Sequence, residues 1–272
     1  MKKLISLLLA MTLLFVLAAC SKTDEKTPDN EENNKDTNDI IYAVESGSAG
    51  KTIAEEKNFQ FKEVDSQADT LMEVSAGTSD AAIIDLLMAG AMIGEGTSYE
   101  NLTYTEELTS EEYGIGCRKG SDLAAFINNV LAEAYTDGTM QDLAKTYNIR
   151  EDLLLKQEAP AQAAEPAADG DVAYIQDKGT LVVAITAFEP MDYQDENGQW
   201  IGFDADMAKV VAEKLGVEIE FVQIDWSNKI LELDSKNVDV VWNGMTLSDE
   251  VTSTMECTNP YLRNAQVIVV PK

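Results

Sequence analysis

The chain has 272 residues, a net charge of −29 at pH 7 and no histidine. The length allows one large domain or two small lobes. The charge excludes electrostatic binding of nucleic acid or anionic lipid, and the missing histidine removes the commonest catalytic base and metal ligand, so no metal or cofactor is expected.

Lys2 and Lys3 precede the apolar run Leu4 to Val16, and Leu17-Ala18-Ala19-Cys20 follows. This order predicts a lipoprotein signal peptide over 1–19, with the Cys20 thiol taking a diacylglycerol group before cleavage. The apolar run is short for a comfortable membrane span. Residues 20–39 hold almost no apolar side chain, which predicts a disordered tether. The mature protein is thus expected to be exported and lipid-anchored to the cell membrane, on its extracellular or periplasmic face.

From residue 40 the pattern alternates. IIYAV reads as a strand, Glu45 to Gly50 (ESGSAG) as a Gly/Ser loop, and Lys51 to Lys57 as a helix. A strand, loop and helix start in that order form a concavity of backbone N–H groups suited to an anion. Phe59 to Val64, Asp80 to Asp85 and Leu102 to Glu107 read as further strands, with helices over Ser66 to Ala76 and Leu86 to Gly94. Glu111 to Gly120 continues as a strand, and Leu123 to Tyr135 and Thr139 to Tyr147 as helices. Gln157 to Asp171 (QEAPAQAAEPAADGD) is rich in Ala, Pro and Glu, which predicts a linker.

A second alternating block opens at Gly179. LVVAIT, VEIEFVQI and VDVVWNGM are strands, with helices over DADMAKVVAEKL and NKILELDSK. Gly216 is a stop signal for the first of these helices. The chain closes on a strand over Ala265 to Val270. Strand–helix alternation implies parallel sheets with ligand sites at the carboxyl ends of the strands. The two blocks also resemble each other. LMEVSAGTSDAAII lies opposite ILELDSKNVDVVWN, with Glu73 matching Glu232 and Asp80 matching Asp239. Cys117 and Cys257 lie in strand-like contexts. They are buried free thiols or, in an exported chain, a disulfide that spacing alone does not reveal.

Six stretches carry a family resemblance: GFDADMAKVVAEKLGVEIEFV, WNGMTLSDE, NPYLRNAQVIVV, VESGSAG, DAAIID and EEYGIGCRKGSDLAAFINNVL. The chain resembles the bacterial extracellular solute-binding proteins of family 3, the binding subunits of polar amino-acid ABC importers. The resemblance implies an α/β, two-lobe periplasmic-binding-protein-like fold of type II, with a Venus-flytrap cleft. The block order is exchanged relative to that family, which implies a circular permutation. Residues 40–112 would form lobe 2. Residues 113–149 would supply a hinge strand and the C-terminal helices of lobe 1. Residues 150–176 would link the original termini, 177–264 would form the main part of lobe 1, and 265–272 the other hinge strand.

The resemblance also implies a site. Phe188 and Trp226 would stack on the ligand. Gly244 and Thr246 would bind its amino group and carboxylate, and Ser48 and Ala49 would donate to the carboxylate. Asp85 would pair with the α-ammonium, and Glu45 would read the side chain. Val251 stands where the family carries an arginine for the α-carboxylate, and no nearby Arg or Lys is expected to replace it. An acidic cleft without that arginine favours a ligand with an ammonium and a weak or absent carboxylate. The implied function is a lipid-anchored, monomeric, non-enzymatic binding subunit that hands an amino acid or amine to an ABC permease. The alternatives are a ligand-sensing accessory of a membrane receptor, or a dehydratase or lyase on the same fold.

Overall fold

In the computed structural model, residues 39–105, 107–158 and 167–272 are described. The signal peptide, Cys20 and most of the tether therefore lie outside the described residues. None of the described helices is long and apolar enough to cross a membrane.

The first block follows the alternating pattern. Strand β1 (Ile41–Glu45) leads into helix α1 (Ala49–Glu56), then β2 (Gln60–Val64), α2 (Gln67–Ser75), β3 (Ala81–Asp85), α3 (Leu86–Met92) and β4 (Leu102–Tyr104). Serines start two of the helices: Ser48 and Ser66 accept from the amides of Lys51 and Asp69. The chain then forms β5 (Glu111–Cys117), α4 (Leu123–Asp137) and α5 (Thr139–Thr146). The second block runs α6 (Asp171–Lys178), β6 (Thr180–Ile185), β7 (Tyr193–Gln194), β8 (Trp200–Ile201), α7 (Phe203–Leu215), β9 (Glu218–Gln223), α8 (Lys229–Asp234), β10 (Val240–Thr246), α9 (Asp249–Thr254), β11 (Glu256–Cys257), β12 (Leu262–Asn264) and β13 (Gln266–Pro271).

Two main sheets result. One has the order β2-β1-β3-β13-β4 and the other β11-β5-β10-β6-β9, with β12 also on β5. Each draws strands from both sides of the Ala/Pro-rich stretch. β13 runs antiparallel between β3 and β4, and β5 runs antiparallel beside β10. The chain therefore crosses between the sheets twice, after Tyr104 and at Ala265. The inner parallel strands β1, β3, β6 and β10 are largely buried on both faces, as helix-covered strands are, whereas the edge strand β9 exposes Glu218, Glu220 and Gln223.

Several elements differ from their sequence-based bounds. The strand expected to reach Glu107 is regular only to Tyr104, although the amides of Thr105 and Leu108 still bond to the β13 carbonyls of Ile268 and Gln266. The helix expected over NKILELDSK is shorter. A 3₁₀ turn over Trp226–Asn228, capped by the Asp225 carboxylate, precedes it. The linker expected over 150–176 is ordered at both of its ends. Gln157 is buried and donates to the Pro260 carbonyl at 2.8 Å. At the other end α6 buries Val172 and Ile175, while the Asp122 carboxylate accepts from the amides of Ala167 and Val172. One apolar pair on a helix of two turns is too short a pattern to stand out in the sequence.

Cys117 and Cys257 are both free thiols. The register explains this. Cys117 pairs with Glu256 and Cys257 with Gly116, so the two thiols project from opposite faces of the sheet.

Candidate functional site

The carboxyl ends of the strands converge on one cavity of about 160 Å³ between the two sheets. β1 delivers Glu45, and the loop after it delivers Gly47 and Ser48 to the start of α1. β3 ends at Asp85, and β10 delivers Asn243 to Thr246. The 3₁₀ turn brings Trp226, and α8 opens with Lys229. Thus Glu45, Ser48, Ala49, Asp85, Trp226, Gly244 and Thr246 line one space. Phe188 does not. It is buried edge-on to Tyr113 at 6.4 Å between ring centroids, and its ring fills the space where a side chain at Gly244 would go. The expected stacking residue is therefore a wall behind the glycine, because β10 turns there with φ +56° at Gly244.

The acids of the cleft differ in how they are occupied. Asp85 accepts from the Tyr113 hydroxyl at 2.6 Å, the Gln266 amide at 3.0 Å, and the amides of Gln67 and Asn264. Glu111 accepts from Thr109 at 3.0 Å, Thr246 at 3.1 Å and Gln266 at 3.1 Å. These two carboxyls share the donors Asn264 and Gln266 and form one saturated network. Burial first, and Glu111 second, push Asp85 up to about 7. The carboxylate expected to meet a ligand ammonium is thus already bonded to four protein donors, and the Thr246 hydroxyl donates to Glu111.

Glu45 is the contrast. It is 3 % exposed, and its Oε1 is buried without a hydrogen-bond partner. Burial, and then the Asp85 charge, push its carboxyl up to about 8. A carboxyl held this way ionises when a cation reaches it.

Lys229, a lysine that the sequence pattern does not place in the cleft, reaches it. It lines the same cavity and is 5 % exposed. Its ammonium donates to the Gly47 carbonyl at 2.9 Å and the Trp226 carbonyl at 3.3 Å, and lies 5.0 Å from the centre of the Trp226 ring. Burial lowers its pKa. The Trp226 ring expected to stack on the ligand therefore already carries a cation from the protein itself. The sequence signal was available: Lys229 follows Trp226 by three residues, the spacing that puts two side chains on one helical face. Glu111 and Tyr113 had no local signal, because only the crossover after β4 carries β5 to the cleft. Val251 is buried with Trp226 and Met245, and its amide donates to the Ser248 cap. Among the described residues no group of three or more His, Cys, Asp or Glu is placed to hold a metal.

A second buried acid pair braces the cleft from behind. Asp204 accepts from the Gly244 amide at 2.6 Å and from the Tyr261 hydroxyl at 2.8 Å, and burial pushes it up to about 7. Asp192 is fully buried with both carboxyl oxygens unpartnered, and burial and Asp204 hold it well above the usual carboxylate range.

Comparison with known proteins points the same way. Residues 181–272 match the model of the bacterial extracellular solute-binding proteins, family 3. The L-cystine-binding protein TcyJ of Escherichia coli is 34 % identical over 88 residues, 32 % of this chain and 33 % of that protein. The cyclohexadienyl dehydratase of Pseudomonas aeruginosa is 32 % identical over 115 residues, 42 % of this chain and 41 % of that enzyme. Among solved structures, the arginine-bound form of domain 1 from TmArgBP is 34 % identical, with 36 % of this chain and 85 % of that chain covered and a TM-score of 0.32. The chain spans about a third to two fifths of these curated relatives. The family model and the curated relatives support the family for the segment from β6 to the C-terminus. The relatives include amino-acid-binding proteins and one enzyme.

Proposed function

We propose that this protein is the solute-binding subunit of an ABC importer, taking an amino acid or amine-bearing small solute into the cavity between the two sheets. One observation carries the reading: the carboxyl ends of β1, β3 and β10 meet at a single cavity that holds a buried, unpartnered Glu45 oxygen. Ligand sites of open α/β sheets lie at that edge. A cationic group is what an unpaired buried carboxyl lacks. The matches to amino-acid-binding relatives add weight from the sequence side. On this reading the two sheets are the cores of two lobes that close over the solute by hinge bending at the two crossovers. The exchanged order of blocks is then a circular permutation, with the Ala/Pro-rich stretch joining the original ends. Lipidation at Cys20 would hold the body at the membrane beside its permease, and the protein would act as a monomer.

The test is a thermal-shift and calorimetric panel of L-amino acids, amines and small carboxylic acids against the full chain. Stabilisation by amino acids or amines supports the reading. Stabilisation by anions alone sinks it. A protonated Glu45 facing a cavity is also what a general acid requires. The same panel is therefore followed by mass spectrometry for turnover. Product formation would favour the dehydratase or lyase reading.

A further inference from the structure

A carboxyl and an ammonium are buried in this cleft without a direct ion pair, although each acts on the other through space. Glu45 and Lys229 line the same cavity, each nearly inaccessible, and among the described residues neither forms an ion pair. Lys229 donates to two neutral carbonyls. A buried ammonium with only carbonyl partners keeps most of its desolvation cost, as does a buried carboxyl with an unpartnered oxygen. Such a pair is complementary to a molecule that brings both missing charges.

The surroundings of Lys229 favour an anion. Its bond to the Gly47 carbonyl sets the ammonium one residue before Ser48, at the start of α1. The Ser48 oxygen accepts from Lys51, which leaves its hydroxyl hydrogen to donate. The opening amides of α1, at Ala49 and Gly50, have no partner within the helix. An ammonium, a hydroxyl and a helix start therefore gather on one side of the cavity. The acids acting on Lys229 are Glu250 first, then Glu45 and Asp225. Glu250 also lines the cavity but is exposed, so solvent screens it, while Asp85 and Glu111 are saturated by protein donors.

We propose that Lys229 is the specificity-determining residue of the cleft, contacting the solute's carboxylate while Glu45 takes its ammonium, so that a zwitterion is selected over the corresponding amine. This rests on the solute-binding reading above and reverses the expectation of a ligand with a weak or absent carboxylate. Trp226 then acts as a positioning residue, holding the Lys229 ammonium over its ring.

The experiment compares each amino acid with its decarboxylated partner: L-arginine with agmatine, L-lysine with cadaverine, and L-cystine with cystamine. Affinities are measured for the wild-type chain and for Lys229→Met and Lys229→Arg. A charged hydrogen bond lost from a buried site predicts that Lys229→Met weakens the bound amino acid by about tenfold or more and its amine by no more than about twofold. Lys229→Arg retains the preference for the acid. The inference is overturned if amines bind wild type as tightly as their acids, an outcome that leaves the solute-binding reading standing. It is also overturned if Lys229→Met weakens both arms equally, which would mark Lys229 as a structural latch. The wild-type comparison decides the matter even if the methionine variant fails to fold. If neither arm of any pair binds, the solute-binding reading falls and takes this inference with it.

Discussion

A β-carbon placed on Gly47 would lie 2.8 Å from the Cα of Ser227, so the loop after β1 and the turn before α8 touch backbone to backbone. Gly47 also has φ +73°, where L side chains are disfavoured. Beside this contact the Gly47 carbonyl accepts from Lys229, so one residue sets both the approach of the two sheets and the position of the cleft's lysine. Gly47→Ala is therefore expected to destabilise the ligand-free chain by about 1–2 kcal/mol through backbone strain. The forced separation at Ser227 should cost solute affinity about a further 1–3 kcal/mol, as overpacked contacts do. Denaturant melts and titration calorimetry separate the two effects. Unchanged affinity would show that the contact is not part of the bound state.

The buried acids set a pH dependence. Glu45 is pushed up to about 8, and Asp85 and Asp204 up to about 7, each chiefly by burial. A carboxyl whose folded pKa lies above its unfolded value binds its proton more tightly when folded. Its stabilising contribution is present in full below the unfolded pKa and is lost as pH rises through the folded one. The ligand-free protein should thus melt higher near pH 5.5 than near pH 8.5, by about 5 °C or more. Glu45→Gln, of the same shape and neutral, should gain on wild type as pH rises from the unfolded pKa of 4.5, and the gap should level off above about pH 8. A melting temperature that rises across that range would refute the assignment. If a cationic solute binds beside Glu45, calorimetry in buffers of different ionisation enthalpy should show proton release.

Arg118 joins elements from both sides of the Ala/Pro-rich stretch. Its Nε donates to Asp171 at 3.0 Å, its guanidinium lies 3.6 Å from the fully buried Asp239, and its Nη1 donates to the Val238 carbonyl at 2.8 Å. Lys178 also pairs with Asp239, at 2.6 Å. Arg118→Met removes one cation from two acids and should cost about 3 kcal/mol, the low end for breaking a buried pair, because Lys178 stays with Asp239. Arg118→Lys keeps the charge but loses the fork, and should cost less. Chemical denaturation measures both. A methionine variant as stable as wild type would show that the cluster contributes nothing net.

The second sheet takes β5 from before residue 150 and β6, β9 and β10 from after residue 171, so the two halves share one hydrogen-bonded ladder. A protease site placed within 159–166 and cut in the folded protein should leave both fragments co-eluting, with ligand-free stability lowered mainly by loop entropy. Deleting 157–171 should be far more damaging, because it removes Gln157 from the Pro260 carbonyl and Asp171 from Arg118. Size-exclusion chromatography after cleavage tests the first expectation. Separation of the fragments would show that the shared sheet does not hold them.

Much of the fold was legible because its signals are local. Apolar strands, Gly stops at 138, 179 and 216, and serine caps at 48 and 66 lie within a few residues of the elements they bound. The cleft residues were not legible in that way: they came from the family resemblance, and seven of the eight line the cavity. α6 was missed because its buried face is two residues wide. The fate of Phe188 was not legible either, because an aromatic at a strand end looks the same whether it faces a cavity or backs a glycine.

By itself, then, the sequence determined the alternation of strands and helices and the presence of acids at the strand ends that face the cleft. Tertiary structure decided which acids are free. Asp85 is spent because Tyr113 from β5, Asn264 from β12 and Gln266 from β13 reach it across 28, 179 and 181 residues of sequence, whereas Glu45 is left with an oxygen unpartnered. It also decided that Lys229, read in the sequence as an ordinary helix residue, becomes a buried cation in the cleft. Hydrogen-bond saturation depends on donors gathered from distant segments, and no local pattern encodes that gathering.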